Sequence, residues 1–209
     1  KEKSNPICPF RIFNITDKCN LKCAYCYAHY YERRKADLPL DRVTAILDDL
    51  AAMGCTRVSF GGGEPLLRPD IGLIVDEVKK RGMECAINSN GYFVPEKIDV
   101  LKHVDALCLS IDGDEAAHAA RGPGSFQKVM EAIVCASRHG IPLHTNTVLH
   151  KGNLHAVEFI LGLAREYGFL AEFNVAIDHI TPTGKPSEHK SGDEDIKKAL
   201  QKLIRYKKE

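Results

Sequence analysis

The 209-residue chain predicts an α/β fold, a partial (β/α)6 barrel with a curved parallel sheet and its helices outside. Three observations carry that expectation. Short apolar runs, partly β-branched, alternate with segments whose apolar residues recur at helical spacing. Gly54, Gly82, Gly140 and Gly168 each close a helical segment and precede a strand, and the step from Gly54 to Gly82 equals that from Gly140 to Gly168. Every strand-like run ends in glycine or polar residues. Strands joined by helical crossovers run parallel, and six such units fall short of the eight that close a full barrel.

The elements follow in order. Strands are predicted over 11–16, 57–60, 84–88, 106–111, 143–148 and 171–177, short and apolar enough to be buried on both faces. The first helix carries Val43, Ile46, Leu47 and Leu50 on one stripe, and the second Ile71, Ile74, Val75 and Val78. A short third is centred on Ile98 and Leu101. The fourth carries Val129, Met130, Ile133 and Val134, and the fifth Leu154, Val157, Ile160, Leu161 and Ala164. Ile196, Leu200, Leu203 and Ile204 mark the last. Residues 1–209 are read as a single core domain, with an arm at 1–9, a loop or lid at 179–194 and a final helix at 192–209. The chain opens at Lys1 without a methionine and ends on a helix-like run with no stop signal. It is therefore expected to continue into a C-terminal region.

Lys plus Arg number 29 against 28 Asp plus Glu, a balance that argues against a dedicated nucleic-acid or anionic-membrane surface. No run reaches the length of a membrane span and no signal peptide is visible, so the expected location is the cytoplasm.

Cys19, Cys23 and Cys26 follow directly on the first strand. Three thiolates this close suit one metal centre and leave a fourth position open. A structural zinc site is normally closed by a fourth ligand, with Cys8 or His29 at hand here, whereas clustered thiolates also serve iron–sulfur clusters. The spacing alone leaves both readings standing. Of the other five of eight cysteines, Cys55, Cys85, Cys108 and Cys135 read as small buried hydrophobes, and Cys8 stands outside any clear element.

The remaining strand ends supply candidates for a shared pocket. Gly61-Gly-Gly-Glu-Pro65 follows the second strand, where glycines allow close backbone approach to a ligand and Glu64 is able to accept from an ammonium group. Asn88-Ser-Asn-Gly91 follows the third and suits sugar hydroxyls, though Asn-Gly is equally an ordinary turn. Ser110-Ile-Asp-Gly113 follows the fourth, with His118 and Arg121 behind it. Arg121 suits a carboxylate, and its plain alternative is a solvated or capping arginine. Thr145, Asn146 and Thr147 put polar groups inside the fifth strand, which is costly unless they face a polar site. Asn174, Asp178 and His179 fall at the sixth.

These residues together resemble the radical S-adenosylmethionine (radical SAM) enzymes. Cys19-x3-Cys23-x2-Cys26, with Tyr25 before the last cysteine, is similar to the family's cluster motif, and Gly62-Gly-Glu-Pro65 to its second motif. The Ser110–Arg121 region resembles SPASM/twitch and molybdopterin-precursor-synthase-like members. The resemblance implies that the three cysteines ligate a 4Fe–4S cluster whose fourth iron is chelated by SAM. Reductive cleavage of SAM then releases methionine and a 5′-deoxyadenosyl radical, which abstracts hydrogen from a substrate. It further implies that Gly62, Gly63 and Glu64 hold the SAM ammonium, and that Ser110 and Arg121 face its carboxylate. Ser89, Asp112 and Asn146 are then candidates for the ribose, while Tyr25 and Val175 frame the adenine. An electron donor such as flavodoxin or ferredoxin is implied, and the substrate is a peptide, a protein or a cofactor precursor. The rival readings are a zinc-binding or thiol-redox domain and a barrel that has lost catalysis.

Overall fold

The computed structural model describes residues 9–26, 28, 36–176 and 192–206. Cys8, His29, Asp178, His179 and all but the last residues of the expected lid lie outside them. Six strands form one sheet in sequence order: β1 (Phe10–Thr16), β2 (Arg57–Gly62), β3 (Glu84–Ser89), β4 (Ala106–Ser110), β5 (Leu143–Leu149) and β6 (Leu170–Val175). All five pairings are parallel, and β1 and β6 are edges. The sheet is the open, partial barrel that six strand–helix units predict.

Helices α1 (Leu40–Ala52), α2 (Ile71–Lys80), α3 (Ile98–Leu101), α4 (Glu115–His118), α5 (Ser125–Arg138), α6 (Val157–Tyr167) and α7 (Asp193–Tyr206) complete the described fold. Gly54, Gly82, Gly140 and Gly168 all take the left-handed conformation just past their helices. One turn, α4, has no counterpart among the expected helices; Asp114 caps it by accepting from the Ala117 amide at 2.9 Å.

The core lies on the helix-facing side of the sheet. Val58, Phe60, Cys85, Ile87, Leu107 and Leu109 are buried there against Val43, Leu47, Ile74, Val78, Val129, Ile133 and Ile160. Each fully buried aliphatic side chain contributes about 1.5–3 kcal/mol, so this face supplies most of the driving force for folding. The expectation that every strand is buried on both faces is corrected. β5 alternates buried and half-buried residues, and β6 alternates half-buried and exposed ones. The inner side carries Asn14, Gly61, Asn88, Cys108, Ser110 and Asn146, in register across neighbouring strands. A sheet that does not close leaves that side unfilled, so small and polar residues occupy it. The last helix also differs from expectation: Ala199 and Leu203 pack inward, against Leu149 and Val157 among others, whereas Leu200 and Ile204 stay exposed.

Candidate active site

The cysteine loop is docked onto the sheet through backbone. The Gly63 amide donates to the Thr16 carbonyl at 2.9 Å, and the Glu64 amide to the Lys18 carbonyl at 2.8 Å. A Cβ on Gly62 would stand 2.3 Å from the Thr16 oxygen, and one on Gly63 2.0 Å from the Lys18 oxygen. Only glycine fits such an approach, and Gly62 also holds a φ of 118°. The glycines therefore seat the loop that bears the cysteines, a role that the motif's spacing did not reveal. On the other side the Ala24 amide donates to the Ala120 carbonyl at 2.8 Å, tying the loop to the turn before Arg121.

A cleft of about 340 Å³ opens where the strands end. Cys19, Cys23, Cys26 and Tyr25 line it, with Gly62 and Gly63 opposite. Ser89, Ser110, Arg121, Asn146 and Val175 complete its walls from the four following strand ends. Asn88, Asn90, Val148 and Asn174 line it too. Their signal was in the sequence, since three of the four are neutral polar residues at strand ends. Thr145 and Thr147 instead point to the buried side, where the Thr147 hydroxyl donates to the Ile111 carbonyl at 2.6 Å.

Two site candidates are not brought to the cleft. Glu64 is fully buried, and its carboxylate accepts from the Ser89 hydroxyl (2.9 Å) and the amides of Asn90 (2.8 Å) and Leu66 (3.1 Å). Burial pushes its carboxyl up to about 7 against the pull of those bonds. The side chain organises the β3 end, where the Asn90 amide group reaches Asn20 in the cysteine loop at 2.9 Å.

Asp112 is likewise fully buried. Its carboxylate takes Arg121 Nε at 2.7 Å, Arg121 Nη2 at 3.1 Å, the Val148 amide at 3.2 Å and the Tyr25 hydroxyl. Burial raises the carboxyl, but the Arg121 charge and the bonds to it prevail and hold it below the usual range. The Asp112 amide donates to His118 Nδ1 at 3.1 Å, and its carbonyl accepts from Asn153 at 3.0 Å. Asn153, fully buried, carried no sequence signal because it lies in an unremarkable loop before a short helical turn.

Arg121 is a buried arginine, neither solvated nor a cap. Its guanidinium stands 5.5 Å from the centre of the Tyr25 ring, a cation–π contact. Its Nη1 makes no hydrogen bond among the described residues, so both N–H groups of that nitrogen remain for the cleft.

The donor set fits an iron–sulfur cluster in its chemistry. Three soft thiols face one cleft, and among the described residues no imidazole or carboxylate lines it. Burial lifts Cys19 up to about 11 and raises Cys23 despite nearby Arg121. Such thiols release their protons to a bound metal rather than to water. Among the described residues no three His, Cys, Asp or Glu side chains stand in a closed metal-binding arrangement, so the sulfurs share a cleft without converging on a point.

An open parallel barrel with a thiol-lined cleft at its strand ends defines an enzyme core built around a cofactor. Residues 13–164 match the Radical SAM superfamily, and the chain belongs to it. Members of that superfamily use a 4Fe–4S cluster and SAM. The chain is 30% identical over 191 residues to an AdoMet-dependent heme synthase of Nitratidesulfovibrio vulgaris, covering 88% of this chain and 51% of that protein. It is 32% identical over 161 residues to a PqqA peptide cyclase of Methylorubrum extorquens, covering 74% and 42%. The fold is similar to Streptococcus suis SuiB bound to S-adenosylmethionine, with a TM-score of 0.82 at 16% identity over 94% of this chain and 47% of that one. The chain thus spans about half the length of the curated relatives it matches. Among the described residues no helix is long and apolar enough to cross a membrane.

Proposed function

We propose that Cys19, Cys23 and Cys26 hold a 4Fe–4S cluster and that SAM occupies the cleft beside it. The observation that carries the reading is the shared cleft: three thiols, the Gly62–Gly63 edge and Arg121 line one space. When bound, the pair supplies reductive cleavage of SAM to methionine and a 5′-deoxyadenosyl radical, which takes hydrogen from a substrate. The chain's own residues bind and orient. Arg121 Nη1 suits the methionyl carboxylate, assisted by Ser110. The Gly62 and Gly63 backbone suits the ammonium, and the amides of Asn88, Asn90 and Asn146 with the Ser89 hydroxyl suit the ribose. Tyr25, held by Asp112 and Arg121, and Val175 frame a flat base.

Arg121 is the one cationic side chain among the described residues that line the cleft, and Asn88, Asn90, Asn146 and Asn174 add four neutral amides. The substrate of this reading is a peptide, a protein or a cofactor precursor. The reading includes a single core domain over 1–209, a C-terminal region beyond it, a flavodoxin- or ferredoxin-type electron donor and a cytoplasmic location.

Anaerobic reconstitution tests the proposal. A brown protein with about four irons per chain, forming 5′-deoxyadenosine on reduction with SAM, supports it. A colourless, zinc-loaded protein overturns the cluster, and a loaded protein that forms no 5′-deoxyadenosine overturns the activity.

A further inference from the structure

The three cysteines lie in a long connection between β1 and α1, and what holds its two ends is a residue outside both the cysteine and the glycine motif. Arg68 follows the short helical turn Pro65–Leu67 and precedes α2. Its side chain is 2% exposed. Nη1 donates to the Ile15 carbonyl at 2.8 Å, where β1 enters the cysteine loop. Nη2 donates to the Leu38 carbonyl at 3.0 Å, where the connection returns to α1. Nε and Nη2 meet the two oxygens of Asp70 at 2.9 and 2.7 Å. One guanidinium thus binds both roots of the loop and anchors them to the start of α2.

A second tie runs between the same roots. The Thr16 hydroxyl donates to Asp37 Oδ1 at 2.7 Å, and Lys18 Nζ to Asp37 Oδ2 at 2.9 Å. The Asp37 tie is part exposed, whereas Arg68 is enclosed.

We infer that Arg68 is a positioning residue for the cluster: it closes the base of the cysteine loop so that the three thiols are presented together. The inference rests on the reading that these cysteines hold the cluster. Joining the ends of a flexible segment costs chain entropy, and a contact that fixes the roots beforehand removes that cost from cofactor binding. Geometry is what the task requires. The guanidinium is planar and presents donors in three directions at once, toward Ile15, Leu38 and Asp70. A lysine ammonium on a flexible stem does not reproduce that fork.

The test compares the full chain with Arg68→Met, Arg68→Lys and Ile160→Ala. The last is a fully buried core change on α6 that controls for lost stability. Two quantities are measured below the melting temperature of every variant: iron loss from reconstituted protein to a chelator, and amide hydrogen exchange over 16–26 and 36–40 in cluster-free protein. Arg68→Met is expected to lose iron about 10- to 100-fold faster, as for other residues that orient metal ligands, and to exchange at least about tenfold faster over those segments. Arg68→Lys is expected not to restore either quantity, and Ile160→Ala to match the parent in both. Unchanged exchange in Arg68→Met overturns the inference. So does full rescue by lysine, or equally fast iron loss in Ile160→Ala. If the parent chain itself retains no iron, the cluster reading fails, and hydrogen exchange still decides whether Arg68 closes the loop.

Discussion

Arg121 and Asp112 form a buried two-bond pair, Nε to Oδ2 at 2.7 Å and Nη2 to Oδ1 at 3.1 Å, in a wall of the cleft. The pair joins the β4 end to the cysteine loop, because Asp112 also binds Tyr25 and Arg121 packs on the Tyr25 ring. Its arrangement makes the acid a support for the arginine rather than a ligand in its own right.

Breaking this pair from one side leaves a buried charge without a partner. Asp112→Asn is expected to lower stability by about 3–5 kcal/mol, read from the denaturant midpoint of cluster-free protein. Replacing both residues, as in Asp112→Leu with Arg121→Met, is expected to cost less than the single change, because no charge is stranded. A single substitution that leaves the midpoint unchanged would contradict the pairing.

Gly63→Ala brings a methyl group against the Lys18 backbone carbonyl. The loop has to shift, so iron content after reconstitution is expected to fall severalfold while far-UV circular dichroism stays that of the parent. Normal iron loading in this variant would show that the docking seen here is not needed.

Cys23→Ala removes one of the three cleft thiols. The expected result is loss of the cluster's visible absorbance and of 5′-deoxyadenosine formation, measured after anaerobic reconstitution. Retention of both would remove Cys23 from the ligand set.

His118 supplies a pH test. Burial and the neighbouring Arg121 push its imidazole down to about 4, Asp112 opposing them. Between the ordinary value near 6.5 and about 4, the unfolded chain takes a proton that the native state refuses, so stability falls as pH drops through that window. The full effect is about 3 kcal/mol at its acid end. Glu64, whose carboxyl is raised, acts in the opposite sense, losing stability as pH rises from 4.5 toward about 7. The readout is therefore the difference between the parent and His118→Gln, whose midpoint is expected to depend less on acidification over that range. Parallel pH profiles would refute the assignment.

Strand order, parallel direction and the side of the sheet that holds the cleft were legible from local patterns. Helical spacing, strand length and glycine stops repeat within each unit, and parallel units with short connections have few ways to assemble. The three cysteines and most lining residues were legible for the same reason, since each stands at a strand end. The burial of Glu64 and Asp112 was not legible, because a carboxylate at a strand end reads the same whether it faces a ligand or a buried donor. Their partners, Ser89, Asn90, Arg121 and Val148, come from other segments.

By itself the chain determined the repeating units, the family motifs and the identity of the thiols, because these depend on near neighbours in sequence. Tertiary structure alone decided which polar groups serve the cleft and which serve each other. It made Gly62 and Gly63 a seat for the loop, buried Glu64 and Asp112 behind the residues that line the cleft, and brought Arg68 onto both Ile15 and Leu38. Those relations join residues distant in sequence, and hydrogen bonding in a buried site depends on where the donors and acceptors finally meet.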